Sequence, residues 1–196
     1  MFANRYTAFV DACALVGVLK RNMLLTLAEA GFFRIRWSAR VLDEVEVALE
    51  RIHADKGREG AAAIAQRQRA NMETAFEEAA ITDYEALEPA CASIPDRNDH
   101  HVVAAALKAQ AATIVTDNLK DFPAEVLNGL NIEAKSTDAF IADTIELDPG
   151  RAVGALRSMR ERFRNPSLTA ETLLLKIEAV GLNETAGTLR PYLAVL

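Results

Sequence analysis

An α/β domain on a parallel sheet, followed by a small all-helical extension, is the fold class that the 196-residue sequence predicts. Three observations predict it. Short apolar or β-branched runs such as "TAFV" and "ATIVT" alternate with longer segments whose apolar residues recur at helical spacing, the pattern of βαβ units with a sheet covered on both faces. A polar residue follows the best strand candidates directly, at Asp11 and at Asp117-Asn118. From about residue 145 the strand pattern stops, which divides the chain into residues 1–145 and a helical 146–196.

The elements follow in order. Thr7 to Val10 is the first strand. "VLKRNMLLTLAEAG" places Leu19, Met23, Leu24 and Leu27 at helical spacing, with Gly31 as the stop. "FFRIRW" alternates apolar and basic residues, as a strand with one covered face does. Ser38 is a plausible N-cap for "ARVLDEVEVALERIHA", whose stripe is Val41, Leu42, Val45, Ala48, Leu49 and Ile52. Residues 57 to 80 predict a surface helix pair, and "AITDYEALEPACASIPD" a short strand and a loop. Asp99 to Ala112 predicts a helix with Asp96 or Asp99 near its start, "ATIVT" a buried strand, "PAEVLNGL" a short helix and "NIEAKS" the last strand. In the extension, Asp148 then Pro149 reads as N-cap then N1, Thr169 as a second N-cap and Gly181 as a helix stop.

Composition bounds the function. A 51% hydrophobic chain with 26% charged residues is an ordinary globular protein, and no apolar run approaches the roughly 20 residues of a membrane span. The N-terminus carries Asp11 within its apolar part and does not read as a signal peptide. Cys13 and Cys91 lack CxxC spacing and predict two buried free thiols in a cytoplasmic protein. A net charge of −6 does not mark a general nucleic-acid binder, but leaves room for an acidic metal site or a partner-neutralised toxin.

The carboxylates carry the chemistry. In open parallel sheets ligands bind beyond the carboxyl ends of strands, where the fold would bring Asp11 and Asp117-Asn118. A single Asp after a strand is an ordinary turn former or cap; two such positions plus Asp99 at a helix start ask for more. At about 100° per residue, Glu44 flanks the apolar stripe of its helix and is the acid there best placed to look inward, while Asp43 and Glu50 face solvent. Clustered carboxylates raise one another's pKa unless a cation neutralises them, and an all-oxygen set suits Mg²⁺ or Mn²⁺ rather than zinc. Such an ion can activate water against a phosphodiester. His100 and His101 point about 100° apart on a helix and predict one satisfied and one solvent-facing histidine rather than a metal pair. His53 is isolated.

"FVDACALV", "RNMLLTLAEAGFFRIRWSARVLDEVEVAL" and "PDRNDHHVVAAALKAQAATIVTDNLKDFP" together resemble the PIN-domain ribonucleases, specifically the VapC-type toxins of bacterial toxin–antitoxin pairs. The resemblance covers about residues 6 to 135, and the helical tail resembles the C-terminal extension of one VapC subgroup. It implies a three-layer α/β/α domain with an acidic pocket binding Mg²⁺ or Mn²⁺. By position, Asp11, Glu44 and Asp99 match the family's first three acids. The fourth place falls on Asn118, flanked by Asp117 and Asp121, so the remaining ligand is open among these, and Asn brings no charge. Thr116 matches a hydroxyl position near the pocket. The implied activity is metal-dependent cleavage of RNA, with a cognate antitoxin as partner and a homodimer as the expected assembly.

Basic residues outside the pocket offer candidate substrate contacts. Arg157, Arg160 and Arg164 fall on one helical face, a surface for RNA phosphates or for an acidic antitoxin segment, against the plain alternative of a solvated face. Arg21-Asn22, Arg34, Arg36 and Arg40 form a second basic region. Two other classes compete: a PIN-like binding module with weak or no catalysis, favoured by Asn118, and a phosphotransfer domain, disfavoured because Asp11 lacks a DxDxT context.

Overall fold

The computed structural model describes residues 6–164 and 166–196. Strands β1 (Thr7–Val10), β2 (Arg34–Ser38), β3 (Ala80–Ile81), β4 (Thr113–Val115) and β5 (Glu133–Lys135) form one sheet in the order β3-β2-β1-β4-β5. Every pairing is parallel. The chain walks outward from β1 to β3, then crosses back to the far side of β1 for β4 and β5. That reversal makes the β1/β4 crevice the topological switch point. β1 and β4 are buried along their whole length, which is why both read as unbroken apolar runs.

Helices α1 (Ala12–Val16), α2 (Val18–Glu29), α3 (Ala39–Asp55), α4 (Ala61–Ala75), α5 (His100–Lys108), α6 (Ala124–Leu127) and α7 (Thr137–Leu147) complete the three-layer α/β/α arrangement. α5 lies across β2, β1 and β4 and is backed by the 3₁₀ segment Glu85–Cys91, so His101 to Ala106 are all buried. α2 touches β2 and is itself covered by α7 and by α8 (Pro149–Glu161). Helices α9 (Ala170–Ala179) and α10 (Asn183–Leu189) follow, and α10 packs on α7. The expected division after residue 145 thus falls inside α7. Asp138 on α7 accepts the backbone N–H groups of Glu184 (2.9 Å) and Thr185 (2.8 Å), tying the start of α10 to it. Among the described residues, no helix is long and apolar enough to cross a membrane.

Most local signals operate as read. Ser38, Asp148 and Thr169 accept N-terminal backbone N–H groups of their helices. Gly31 and Gly181 take φ of +77° and +83° just past α2 and α9, a conformation that side chains with a Cβ rarely adopt. Three expectations need correction. Residues 57 to 80 form one α-helix, not two: α4 ends at Ala75, and Phe76, with φ −135°, leaves the helix and sets its ring edge-on to Trp37 at 5.9 Å. The helix at Asp99 stops at Lys108, because Gln110 turns left-handed at φ +51°. The basic face Arg157–Arg160–Arg164 does not exist as such, since α8 ends at Glu161 and Arg164 lies in a bridge to Ser167.

Arg21 is likewise not a surface residue. It is 6% exposed, and its guanidinium donates to the Leu15 carbonyl (2.6 Å), the Val16 carbonyl (3.3 Å) and Gln68 Oε1 (2.6 Å). It thereby clamps the end of α1, whose last carbonyls lack helical partners, to α4. Arg21→Ala should lower unfolding free energy by about 2–3 kcal/mol in urea titration, since buried acceptors would be left unmet. A change within about 0.5 kcal/mol, ordinary for a surface site, would show that the clamp contributes nothing.

Candidate metal centre

The site begins with sheet register. Val10 pairs with Val115, so the next residues, Asp11 and Thr116, meet just beyond the carboxyl ends of β1 and β4. Asp11 N donates to the Val115 carbonyl at 3.0 Å, and Thr116 Oγ1 donates to Asp11 Oδ2 at 2.7 Å. Asp11 Oδ1 also caps α1 by accepting the Ala12 N–H at 2.7 Å. The side chain is 7% exposed, so its orientation is fixed from three directions.

Asp99 comes to this rim from the other side, at the start of α5. It occupies the N-cap position but caps nothing, and its Oδ2 is buried without a hydrogen-bond partner. Asp96, Asp99 and Asp121 each present a carboxylate oxygen within 4.8 Å of the others, the one such acidic group among the described residues. Burial first, then the charges of Asp11, Asp96 and Asp121, push the Asp99 carboxyl up to about 6, against an opposing pull from His101. All donors are oxygen, and the orphaned carboxylate oxygen is what a hard divalent cation would satisfy. The residues fit Mg²⁺ or Mn²⁺.

The turn after β4 sends its residues in different directions. Thr116 faces Asp11. Asp117 turns away, donated to by Lys20 Nζ at 2.6 Å and by the Thr137 N–H at 3.0 Å. Burial opposes its ionisation, but these two donors hold its carboxyl below the usual range. Asp117 is therefore spent structurally, a correction to its expected place among the ligands. Asn118 Nδ2 donates to Asp121 Oδ2, fixing that carboxylate from the side.

Glu44 does not join the cluster directly. Its carboxylate is 43% exposed and lies 3.1 Å from His101 Nε2 and 3.8 Å from Arg40 Nε. His101 is 1% exposed, and its Nδ1 lacks a partner. Neither histidine of the pair faces solvent as expected, since the half-buried His100 Nε2 sits 3.1 Å from the Ile94 carbonyl. Cys13 also departs from expectation. The residue is exposed, but its Sγ lies 3.1 Å from Asp11 Oδ2 and 3.2 Å from Thr116 Oγ1. Burial, then the Asp11 charge, push this thiol up to about 12.

Of the candidate substrate contacts, Thr116 lies at the rim beside Asp11, and Asn22, Arg157 and Arg160 have their partners elsewhere. Asn22 lines a groove between α2 and α8. Arg157 pairs with Glu161 at 2.9 Å, and Arg160 donates to the carbonyls of Leu168 (2.6 Å) and Leu196 (2.9 Å). Asp96 was visible only as one of several acids crowding the segment, because capping alone accounts for an Asp two residues before Asn98 N–H. The i, i+1 geometry of His100 and His101 addresses shared ligation and carries no signal of the His101 bond to an acid on another helix.

A parallel sheet with carboxylates gathered at its switch point defines an acidic-pocket α/β domain. A family model described as "PIN domain" matches residues 7–120, more than half of the chain, which therefore belongs to the PIN-domain family. A second model, "VapC50 C-terminal domain", matches residues 137–191. Among curated proteins the chain is similar to "Putative ribonuclease VapC50" of Mycobacterium tuberculosis, with 36% identity over 76 residues, 39% of this chain and 45% of that protein. The match thus spans less than half the length of this relative. No solved structure matches significantly.

The raised Asp99 pKa has a definite sign. Its folded-state value of about 6 exceeds the ordinary 3.8, so the folded chain binds this proton more tightly, and the resulting stability is lost as pH rises between those values. In EDTA, Asp99→Asn should gain thermal stability relative to the unsubstituted chain on going from pH 4.5 to 7. A difference between the two midpoints that is independent of pH would contradict the uncompensated cluster.

Proposed function

We propose that the chain is a metal-dependent endoribonuclease, the toxin of a VapBC-type toxin–antitoxin pair, acting in the cytoplasm. The observation that carries this reading is the carboxylate group Asp96, Asp99 and Asp121 beside Asp11 at the β1/β4 switch point, with one buried oxygen left unsatisfied. Family membership supports the reaction class, and the name of the curated relative agrees with it.

In this reading Asp96, Asp99 and Asp121 would hold Mg²⁺ or Mn²⁺, and Asp11 would add its charge to the same rim from the end of β1. The ion, when bound, neutralises phosphate charge and supplies an activated water for in-line attack. Thr116 and the α1 cap orient Asp11; Asn118 orients Asp121, a neutral residue doing the work of placing a charged one. Glu44 would act only through His101, whose Nε2 lies 3.1 Å from its carboxylate and whose charge bears on Asp99. Rigid elements under each acid keep the set in place. RNA is the substrate, a cognate antitoxin the partner, and a homodimer the expected assembly.

Asp11→Asn and Asp99→Asn should each reduce Mn²⁺-dependent cleavage of a labelled RNA by at least about 100-fold. Both should also weaken Mn²⁺ binding in calorimetry. Full retention of cleavage in EDTA would end the metal-nuclease reading. His101→Leu should raise the Mn²⁺ concentration needed for cleavage; an unchanged requirement would assign His101 to packing alone.

A second reading, a PIN-like RNA- or protein-binding module with little catalysis, is favoured by two observations. Asn118 brings no charge, and Glu44 is turned to His101 and Arg40 instead of the cluster. RNA that binds with Mn²⁺ present yet stays intact would select it.

A further inference from the structure

The thiol at the acidic rim has no part in the mechanism above. Cys13 stands at the second position of α1, and side chains on a helix lean back towards its start. Its Sγ therefore returns to Asp11, the residue that caps the same helix, and lies 3.1 Å from Oδ2. The pairing of Val10 with Val115 brings the turn after β4 to the same place, with Thr116 Oγ1 3.2 Å from the sulfur. The other thiol, Cys91, is buried and donates to the Leu87 carbonyl of its own 3₁₀ segment at 3.6 Å.

Counting protons gives each contact its direction. An ionised carboxylate only accepts, so Asp11 Oδ2 receives the Thr116 hydroxyl proton at 2.7 Å and faces the Cys13 thiol proton. With its own proton on Asp11, Thr116 Oγ1 is left to accept, from the same thiol and from the Asn118 N–H at 3.1 Å. The sulfur in turn accepts the Asp117 N–H at 3.1 Å. Two successive N–H groups of the turn thus end on the thiol and the hydroxyl, and both of these donate to one oxygen of Asp11. The other oxygen, Oδ1, is held by the Ala12 N–H.

We propose that Cys13 is a positioning residue of the metal centre: its thiol joins the start of α1 to the turn after β4, and so sets the aim of Asp11 Oδ2 and, through that turn, of Asp121. The role rests on the metal-nuclease reading and adds to it the group that links its two halves. Asn118 carries the constraint onward, since its N–H ends on Thr116 and its side chain donates to Asp121. Removing the sulfur takes this acceptor from the Asp117 N–H and leaves Asp11 Oδ2 with the Thr116 hydroxyl alone. Cys13 acts here through hydrogen bonds and not as a nucleophile, so any side chain that donates and accepts at this place can substitute for it.

The test measures Mn²⁺ binding to the full chain by calorimetry, per folded molecule, beside the Mn²⁺ dependence of RNA cleavage. Cys13→Ala should weaken Mn²⁺ binding at least about tenfold and raise the Mn²⁺ requirement of cleavage alike, with KM for RNA unchanged. Cys13→Ser should restore most of the affinity, because a hydroxyl donates and accepts as the thiol does. Cys13→Val fills the space without a polar proton; it should fall with Cys13→Ala and keeps the test intact should that variant unfold. Cys91→Ala should leave Mn²⁺ affinity unchanged. Unchanged affinity in Cys13→Ala and Cys13→Val, a Cys13→Ser variant as weak as these, or an equal loss in Cys91→Ala would each overturn the role and leave the metal centre standing. Mn²⁺ binding by the unsubstituted chain without cleavage would end the nuclease reading alone, with the variant affinities still deciding the role. No Mn²⁺ binding by that chain would overturn both.

Discussion

The pairing of Val10 with Val115 is the constraint on which the rest depends. In a parallel ladder a one-residue slip would send every side chain to the other face. Held in register, the pair delivers Asp11 and Thr116 to the same point, where the hydroxyl donates to the carboxylate at 2.7 Å. Both strands are buried along their whole length, so the rim they carry is anchored in the core. Apolar packing thus decides where the charged chemistry is assembled.

The carboxylate cluster then works against the fold that holds it. The acids reach the rim from three places in the chain: Asp11 from the end of β1, Asp96 and Asp99 from the two ends of the 3₁₀ turn that leads into α5, and Asp121 from the turn after β4. Scattered anchoring prevents the acids from relaxing apart together. The repulsion is stored as a raised proton affinity at Asp99, which burial alone would only partly produce. A cluster of acids elsewhere is compensated: Arg69 gathers Asp43, Glu46 and Glu73 between α3 and α4. The contrast separates a pocket from a surface.

The fold was legible because its signals are local. Caps at Ser38, Asp148 and Thr169, stops at Gly31 and Gly181, and apolar periodicity each act within one or two turns. The acids at strand and helix ends were legible for the same reason. What the sequence could not supply was the direction of side chains whose partners lie far along the chain. Nothing near Arg21 announces Gln68, nothing near Asp117 announces Thr137, and nothing near Arg160 announces Leu196. Helical spacing put Glu44 at the edge of an inward face, yet His101 on another helix decides where its carboxylate rests. The Arg157–Arg164 face failed on a helix boundary, the least local feature of a helical pattern.

The three-residue turn Thr116-Asp117-Asn118 has a mechanical implication. Its first residue grips Asp11, its last steadies Asp121, and its middle one is fastened to the first N–H of α7, which α10 and Asp138 lock to the tail. The helical tail and the acidic rim therefore share a fastening one residue wide. Trimming the chain before α7 would free the middle of that turn, so the tail serves the pocket as a brace, whatever else it touches.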